Sequence, residues 1–376
     1  MNPLEQLLAA KLKEREAAGN LRSLSITEGK ADFFSNDYLG LATTGLLNNI
    51  IKDTYPEAGG TGSTGSRLLS GNNSEVEALE QTIAIHHSAE AALVYNSGYD
   101  ANMGLIASIG HRHTTILYDE LCHASIIDGV RLSQTQNTFK FQHNDIADLS
   151  NKLQSHSGKG PLIVITESIF SMDGDMAPLE LIAALCSAYN APLIVDEAHA
   201  TGVYGHQGAG LVSALGLQDQ VFARVHTYGK ALGCHGAAVV GSATLRQYLI
   251  NYSRSFIYTT ALPVHSIRAI ACAYQYLTST AYSAQPLHDL IAYFRHSITE
   301  RGITGFVDST SPVQAYITGS NDTANHLATH LQAAGLQVKA IRSPTVPKGA
   351  ERLRMCLHTF NTHDQVDVLM GVLDGQ

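Results

Sequence analysis

Short apolar runs alternate with helical stretches along most of this chain. The runs are Ala91 to Tyr95, Thr114 to Tyr118, Leu162 to Thr166, Leu193 to Asp196, Val221 to Thr227 and Ala237 to Gly241. Strands that are apolar throughout, separated by helices, predict a mostly parallel sheet covered on both faces, an α/β fold. Ahead of them, Leu4, Leu7, Leu8 and Leu12 recur at i, i+3, i+4 and i+8, the apolar face of an N-terminal helix lying across something larger. Val76, Leu79 and Ile83 predict another helix, with Ser74 placed to cap it. After about residue 270 the pattern loosens. There "PTVPKGAERLRMCLHTF" reads as a loop and then a strand, and "DQVDVLMGVL" as a last helix. The expected division is an N-terminal helix and arm over 1–40, a large domain over 41–270 and a smaller C-terminal domain over 271–376.

Two of the runs bring chemistry to their C-terminal ends, where open α/β sheets place ligands. Leu193-Ile194-Val195 leads into Asp196 and then His199. Val221 to Val225 leads into Thr227 and then Lys230, between glycines in "HTYGKALG". An acid, a histidine and a lysine at two such ends are the parts a pyridoxal 5′-phosphate enzyme needs. The lysine forms the Schiff base, and the acid keeps the pyridine nitrogen protonated so that the ring accepts electrons.

Composition narrows the partners. Of 376 residues 44% are hydrophobic and 15% charged, as in a compact cytoplasmic enzyme, and the net charge of −9 argues against nonspecific nucleic-acid or membrane-surface binding. No apolar stretch approaches the roughly 20 residues that span a bilayer, and the start, which holds acids and no small-residue cleavage site after an apolar core, does not read as a secretory signal. Five scattered cysteines without a C-x-x-C pair predict reduced thiols in a reducing compartment and no zinc site. The histidine pairs His86-His87 and His111 to His113 lack a second ligand pair, so they read as ordinary side chains and no metal is expected. "GTGSTG" (Gly60 to Gly65) has dinucleotide-loop spacing, but a polar, proline-bearing segment precedes it where that motif needs a buried strand. "DEAH" lacks the phosphate loop an ATPase requires.

Taken singly, each candidate has an ordinary reading as a cap, a turn or a surface charge. In order, "SNDYLGLA", "GSTGSRLLSG", "SGYDAN", "CHAS", "SIFSMDGDMAPL", "DEAHATGVYG", "HTYGKALG" and "IYTTALP" resemble the α-oxoamine synthase family of pyridoxal phosphate enzymes. The resemblance runs from about Leu7 to the C-terminus. It implies the type I, aspartate-aminotransferase-like fold, with a large cofactor domain and a smaller C-terminal α/β domain. It also implies condensation of a small amino acid with an acyl thioester, on CoA or acyl carrier protein, with loss of carbon dioxide.

Carried over by position, the resemblance makes Lys230 the Schiff-base lysine and Asp196 the partner of the pyridinium nitrogen. His199 would bond the ring's phenolic oxygen, and His123 would stack on the ring and touch the acyl carbonyl. Gly98 and Tyr99 would offer N–H groups to the phosphate at a helix start, with Ser171 and Thr227 as further cofactor ligands. Thr259 and Thr260 would reach the phosphate from a partner subunit, which implies a homodimer with shared active sites. Arg354 would pair with the amino-acid carboxylate, and Asn36 and Arg22 would lie on the substrate side. "REAAGNLR" and "GKALGCHGAAV" look most like the biotin-pathway branch, which uses alanine and a pimeloyl thioester; the glycine–acetyl-CoA and serine–palmitoyl-CoA branches are the alternatives. Cys356 and His358 stand where hydroxyl residues are usual, either tolerated changes on a strand or the sign of a shifted acyl pocket. A silent homologue would lack Lys230 or Asp196, and both are present.

Overall fold

The computed structural model describes residues 2–24, 26, 29–57 and 59–374. It divides into two compact units. The larger holds Asn36–Ser171 and Met176–Gln285; the smaller holds Met1–Ser35, Met172–Asp175 and Pro286–Gln376. The divisions therefore fall near residues 35 and 285 instead of 40 and 270, and the N-terminal arm shares a unit with the C-terminal part. Backbone bonding is the reason. Ala31–Asp32 pairs in parallel with Leu336–Gln337, and the Cys356 N–H donates to the Phe33 carbonyl at 2.7 Å. The helix Val264–Leu277 lies wholly inside the larger unit, where buried Tyr274 meets His87 Nε2 at 2.7 Å.

The larger unit is built on a seven-stranded sheet. Its spatial order is Ala91–Tyr95, Ala237–Gly241, Ala223–Thr227, Leu193–Asp196, Leu162–Glu167, Thr115–Asp119, Asn137–Phe141. Only Ala237–Gly241 runs antiparallel to its neighbours. Six strands answer to the six apolar runs. The seventh, Asn137–Phe141, escapes the apolar pattern because it is an edge strand with only Phe141 buried. Inner strands are buried on both faces, and alternate residues feed two cores. Leu193, Val195, Val164 and Leu117 enter one; Ile194, Ile163, Ile165 and Val225 enter the other. Two-sided burial is why these strands read as unbroken apolar runs.

In the smaller unit a three-stranded antiparallel sheet sets Arg352–Cys356 between Lys339–Ile341 and Val313–Ile317. The last helix is His363–Asp374. The first, Pro3–Ala17, is closed by reciprocal bonds between Asn2 and Glu5, a capping box. Its four leucines stay exposed, so its apolar face is not covered by the described residues. The helix Ser74–His86 is capped by Asn73, one residue before the expected Ser74, because the Asn73 side chain accepts the Val76 N–H. No helix among the described residues is long and apolar enough to cross a membrane.

Glu197, next to the strand end at Asp196, is fully buried. Its carboxylate takes the Val212 N–H at 3.3 Å, and it leaves no room at Gly210, where a Cβ would fall 1.8 Å from Oε2. Burial pushes Glu197 up to about 7, with the Ser168 side-chain bond, the Val212 bond and Arg224 opposing. The folded protein thus keeps a proton that the unfolded chain releases at lower pH. The stabilisation is complete below the unfolded value and is lost as pH rises through the folded one. In urea unfolding, the wild type should lose about 2 kcal/mol more than Glu197→Gln between pH 5.5 and pH 8. Equal losses in the two proteins would contradict this.

Candidate active site

Five strands of the sheet point their carboxyl ends to one edge and release chemistry there. Asp196 ends Leu193–Asp196, Thr227 ends Ala223–Thr227 and Glu167 ends Leu162–Glu167. Thr115–Asp119 leads to His123, and Ala91–Tyr95 leads to the helix Gly98–Ile109. Parallel register sets Asp196 opposite Glu167 on one side and Val225 on the other.

Lys230 Nζ lies 2.7 Å from His199 Nε2. On the far side of that ring, Nδ1 is 2.6 Å from the Tyr38 hydroxyl, which donates to Asn36 Oδ1 at 3.1 Å. With the tyrosine hydrogen committed to Asn36, its oxygen accepts Nδ1–H, and His199 Nε2 is left to accept from the lysine. Asn36 and Tyr38 thus orient the histidine that meets the amine.

Asp196 is buried and accepts two N–H donors, from Asn102 Nδ2 at 2.6 Å and from the Ala198 backbone at 2.9 Å. Its neighbour Glu167 is also buried. Desolvation, and then the charge of Asp196, hold the Glu167 carboxyl well above its ordinary range, with Lys230 opposing. Glu167 accepts the His123 backbone N–H. His123 opens to solvent at one edge and backs onto protein at the other. Desolvation chiefly lowers its imidazole below the ordinary value; Lys230 acts the same way, and Asp196 opposes. Asn102 and Ser125, bonded in series, link the Asp196 carboxylate to the His123 ring.

Gly98 and Tyr99 take the first two positions of their helix, where N–H groups have no acceptor within it. A Cβ at Gly98 would stand 2.2 Å from Thr227 Oγ1. Only glycine lets the helix start and that hydroxyl converge. The Tyr99 hydroxyl bonds to Asp128 and its ring meets His123 edge-on at 6.4 Å.

The sequence matches the family described as aminotransferase class I and II over residues 28–373. The chain is 40% identical to the 8-amino-7-oxononanoate synthase of Emericella nidulans, over 98% of this chain and 95% of that one. The structure resembles a serine palmitoyltransferase from Sphingomonas wittichii, with TM-score 0.90, 26% identity and coverage of 100% and 98%. It also resembles a crystal structure of the 8-amino-7-oxononanoate synthase from Francisella tularensis, with TM-score 0.77, 28% identity and coverage of 93% and 98%.

The chain belongs to the aminotransferase class I and II family.

Its fold is the type I fold of that family and its cofactor is pyridoxal 5′-phosphate. The side chains fit that group. Lys230 supplies a primary amine, Asp196 an acceptor already aligned by two donors, and the Gly98 helix start a cradle that any Cβ would fill. Like these residues, Asn36, His123, His199, Thr227, Ser171, Thr259 and Thr260 lie in the larger unit. In the single chain Asn96 Nδ2 holds Thr259 Oγ1 at 3.0 Å and the Thr260 carbonyl at 2.9 Å.

Arg22 and Arg354 lie in the smaller unit. Exposed Arg22 donates to Thr345 Oγ1 at 2.9 Å. Arg354, buried mid-sheet, donates to Cys356 Sγ at 3.1 Å. His358 is fully buried, with Nδ1 2.9 Å from Asn361 Oδ1 and Nε2 3.1 Å from Ser35 Oγ. It ties the strand end to the arm. Tyr38, Asn102, Ser125 and Glu167 carry no signal of their own in the sequence, although the first three sit inside "SNDYLGLA", "SGYDAN" and "CHAS".

Two substitutions test the geometry. Gly98→Ala should raise the Kd for pyridoxal phosphate at least about tenfold in a titration, about 1.4 kcal/mol. Tyr38→Phe removes a single oxygen from the His199 relay, and kcat/KM should fall about tenfold while the fold stays intact by circular dichroism.

Proposed function

We propose that this chain joins L-alanine to a pimeloyl thioester and releases carbon dioxide, the free thiol and 8-amino-7-oxononanoate. The observation that carries this reading is the 40% identity to the Emericella nidulans synthase over nearly all of both chains, together with the Lys230–His199 contact at the sheet edge. The serine palmitoyltransferase likeness is stronger in shape than in sequence, so the choice of substrate follows the closer sequence kinship.

Bound at this site, pyridoxal phosphate supplies an electron sink for negative charge at the amino-acid α-carbon. The chain's own groups do the rest. Lys230 Nζ would hold the cofactor and, as a primary amine beside His199, would serve as the base for the α-proton. His199 holds that amine in line. Asp196, fixed by Asn102 and Ala198, keeps a negative charge where a cationic ring nitrogen needs one. His123 presents an N–H to the acyl oxygen as charge gathers there. Arg354 offers a planar pair of donors to the amino-acid carboxylate, with Asn36 and Arg22 on the substrate side. Gly98, Tyr99, Ser171 and Thr227 hold the phosphate end.

Two copies complete the site in this reading. Thr259 and Thr260 of one copy reach the phosphate of the other, which the "IYTTALP" resemblance and the exposed Thr260 support. Five free cysteines suit a reducing cytoplasm.

A matrix of alanine, glycine and serine against acetyl-, succinyl-, pimeloyl- and palmitoyl-CoA, read by carbon dioxide release, tests the substrate. Alanine with pimeloyl-CoA should lead; preference for glycine with acetyl-CoA, or serine with palmitoyl-CoA, would replace this reading by that one. Lys230→Ala should abolish turnover and the yellow colour of the bound cofactor. Arg354→Lys should raise KM for the amino acid by roughly tenfold to a hundredfold.

A further inference from the structure

A hydrogen-bonded chain runs from the carboxylate Asp196 to the ring of His123 through two buried side chains that the reaction does not itself use. Asn102 Nδ2 donates to Asp196 Oδ2 at 2.6 Å and to Ser125 Oγ at 3.1 Å. Ser125 Oγ lies 2.8 Å from His123 Nδ1, and the Ser125 backbone N–H donates to that same nitrogen at 3.2 Å. Asn102 and Ser125 are 2% and 0% exposed.

The direction of every bond follows from the ends. A carboxylate oxygen only accepts, so the Asn102 amide must turn its NH₂ toward Asp196; the flipped amide would press oxygen against oxygen at 2.6 Å. Both amide hydrogens are then in use. The Asn102 Oδ1 atom is left buried without a partner among the described residues, an arrangement that folding alone disfavours. With one lone pair of Ser125 Oγ taken by Asn102, the hydroxyl hydrogen goes to His123 Nδ1, where a backbone N–H already points. Two donors aimed at Nδ1 require a lone pair there, so the neutral ring carries its proton on Nε2.

We propose that Asn102 and Ser125 are positioning residues that use the charge of Asp196 to fix His123 in the Nε2–H tautomer, so that the imidazole always meets the acyl oxygen as a donor. The functional half rests on the reading of His123 given above; the tautomer itself does not. The carboxylate that would hold the ring nitrogen and the histidine that would polarise the thioester thereby share one proton-ordered network. Besides Ser125, the groups facing His123 are Asp196, Lys230, the Tyr99 ring and, through the backbone, Glu167.

Long-range ¹H–¹⁵N correlation on ¹⁵N-histidine-labelled holoenzyme tests this, with the His123 signals identified by their loss in His123→Gln. The expected wild-type spectrum shows a bare Nδ1 and a protonated Nε2 across neutral pH; a protonated Nδ1 overturns the proposal whatever the variants do. Ser125→Ala keeps the backbone N–H but loses the hydroxyl donor, so a minor Nδ1-protonated population should appear beside the Nε2–H form and kcat should fall about tenfold with KM for the amino acid unchanged. Ser125→Thr, which keeps the hydroxyl, should restore both. An unchanged tautomer and kcat in a folded Ser125→Ala protein would also overturn it. If the tautomer behaves as expected but the substrate matrix favours another thioester, the relay stands and the substrate reading fails.

Discussion

The parallel pairing of Leu193–Asp196 with Ala223–Thr227 sets Asp196 opposite Val225, and the turns leaving those two strands bring His199 within 2.7 Å of Lys230. Register matters here more than residue type. Successive side chains of a strand face opposite sides of the sheet, so a slip of one residue would swing Asp196 into the opposite core and put Val195 in its place. Two-sided burial prevents the slip, because Val195 and Ile194 each fill a different core. The hydrophobic packing thus specifies the position of a charge.

Behind that edge lies a second polar layer with almost no water access. The His87 and His226 rings stack at 3.7 Å, His226 Nδ1 meets Thr201 Oγ1 at 2.8 Å, and Tyr274 donates to Tyr228 at 3.2 Å. Burial, and then the neighbouring histidines and Arg224, hold both histidines well below their ordinary value, so both stay neutral. Arg224 donates to the His87 carbonyl at 2.7 Å. Buried polar groups of this kind are costly unless bonded, and once bonded they hold their neighbours firmly. Thr227 and Tyr228 stand on this floor, two or three residues before Lys230.

Much of this was legible in the sequence. Two-sided burial leaves a continuous apolar signature, so six of the seven strands of the large sheet could be read directly; the edge strand Asn137–Phe141, buried only at Phe141, could not. Charged residues at strand ends advertised Asp196, His199 and Lys230. Asn73 was missed as a cap because Asn73 and Ser74 are equally good caps by chemistry, and only the backbone at the helix start decides between them. The arm's membership of the smaller unit was hidden for a similar reason, since a two-residue strand such as Ala31–Asp32 carries no periodicity. His358, unusual by position, proved to bridge Ser35 and Asn361, partners more than 300 residues and three residues away in the chain.

Fold class, family and the residues that carry charge to the sheet edge can be read from the order of residues alone, because those depend on local pattern and on residue identity. The pairing of each supporting polar side chain with its partner at the site emerges only once the chain has folded. Asn102 reaches Asp196 across 94 residues and Tyr38 reaches His199 across 161. A hydrogen bond has direction and a reach of about 3 Å, and no spacing along a chain reports that two atoms so far apart in order will meet.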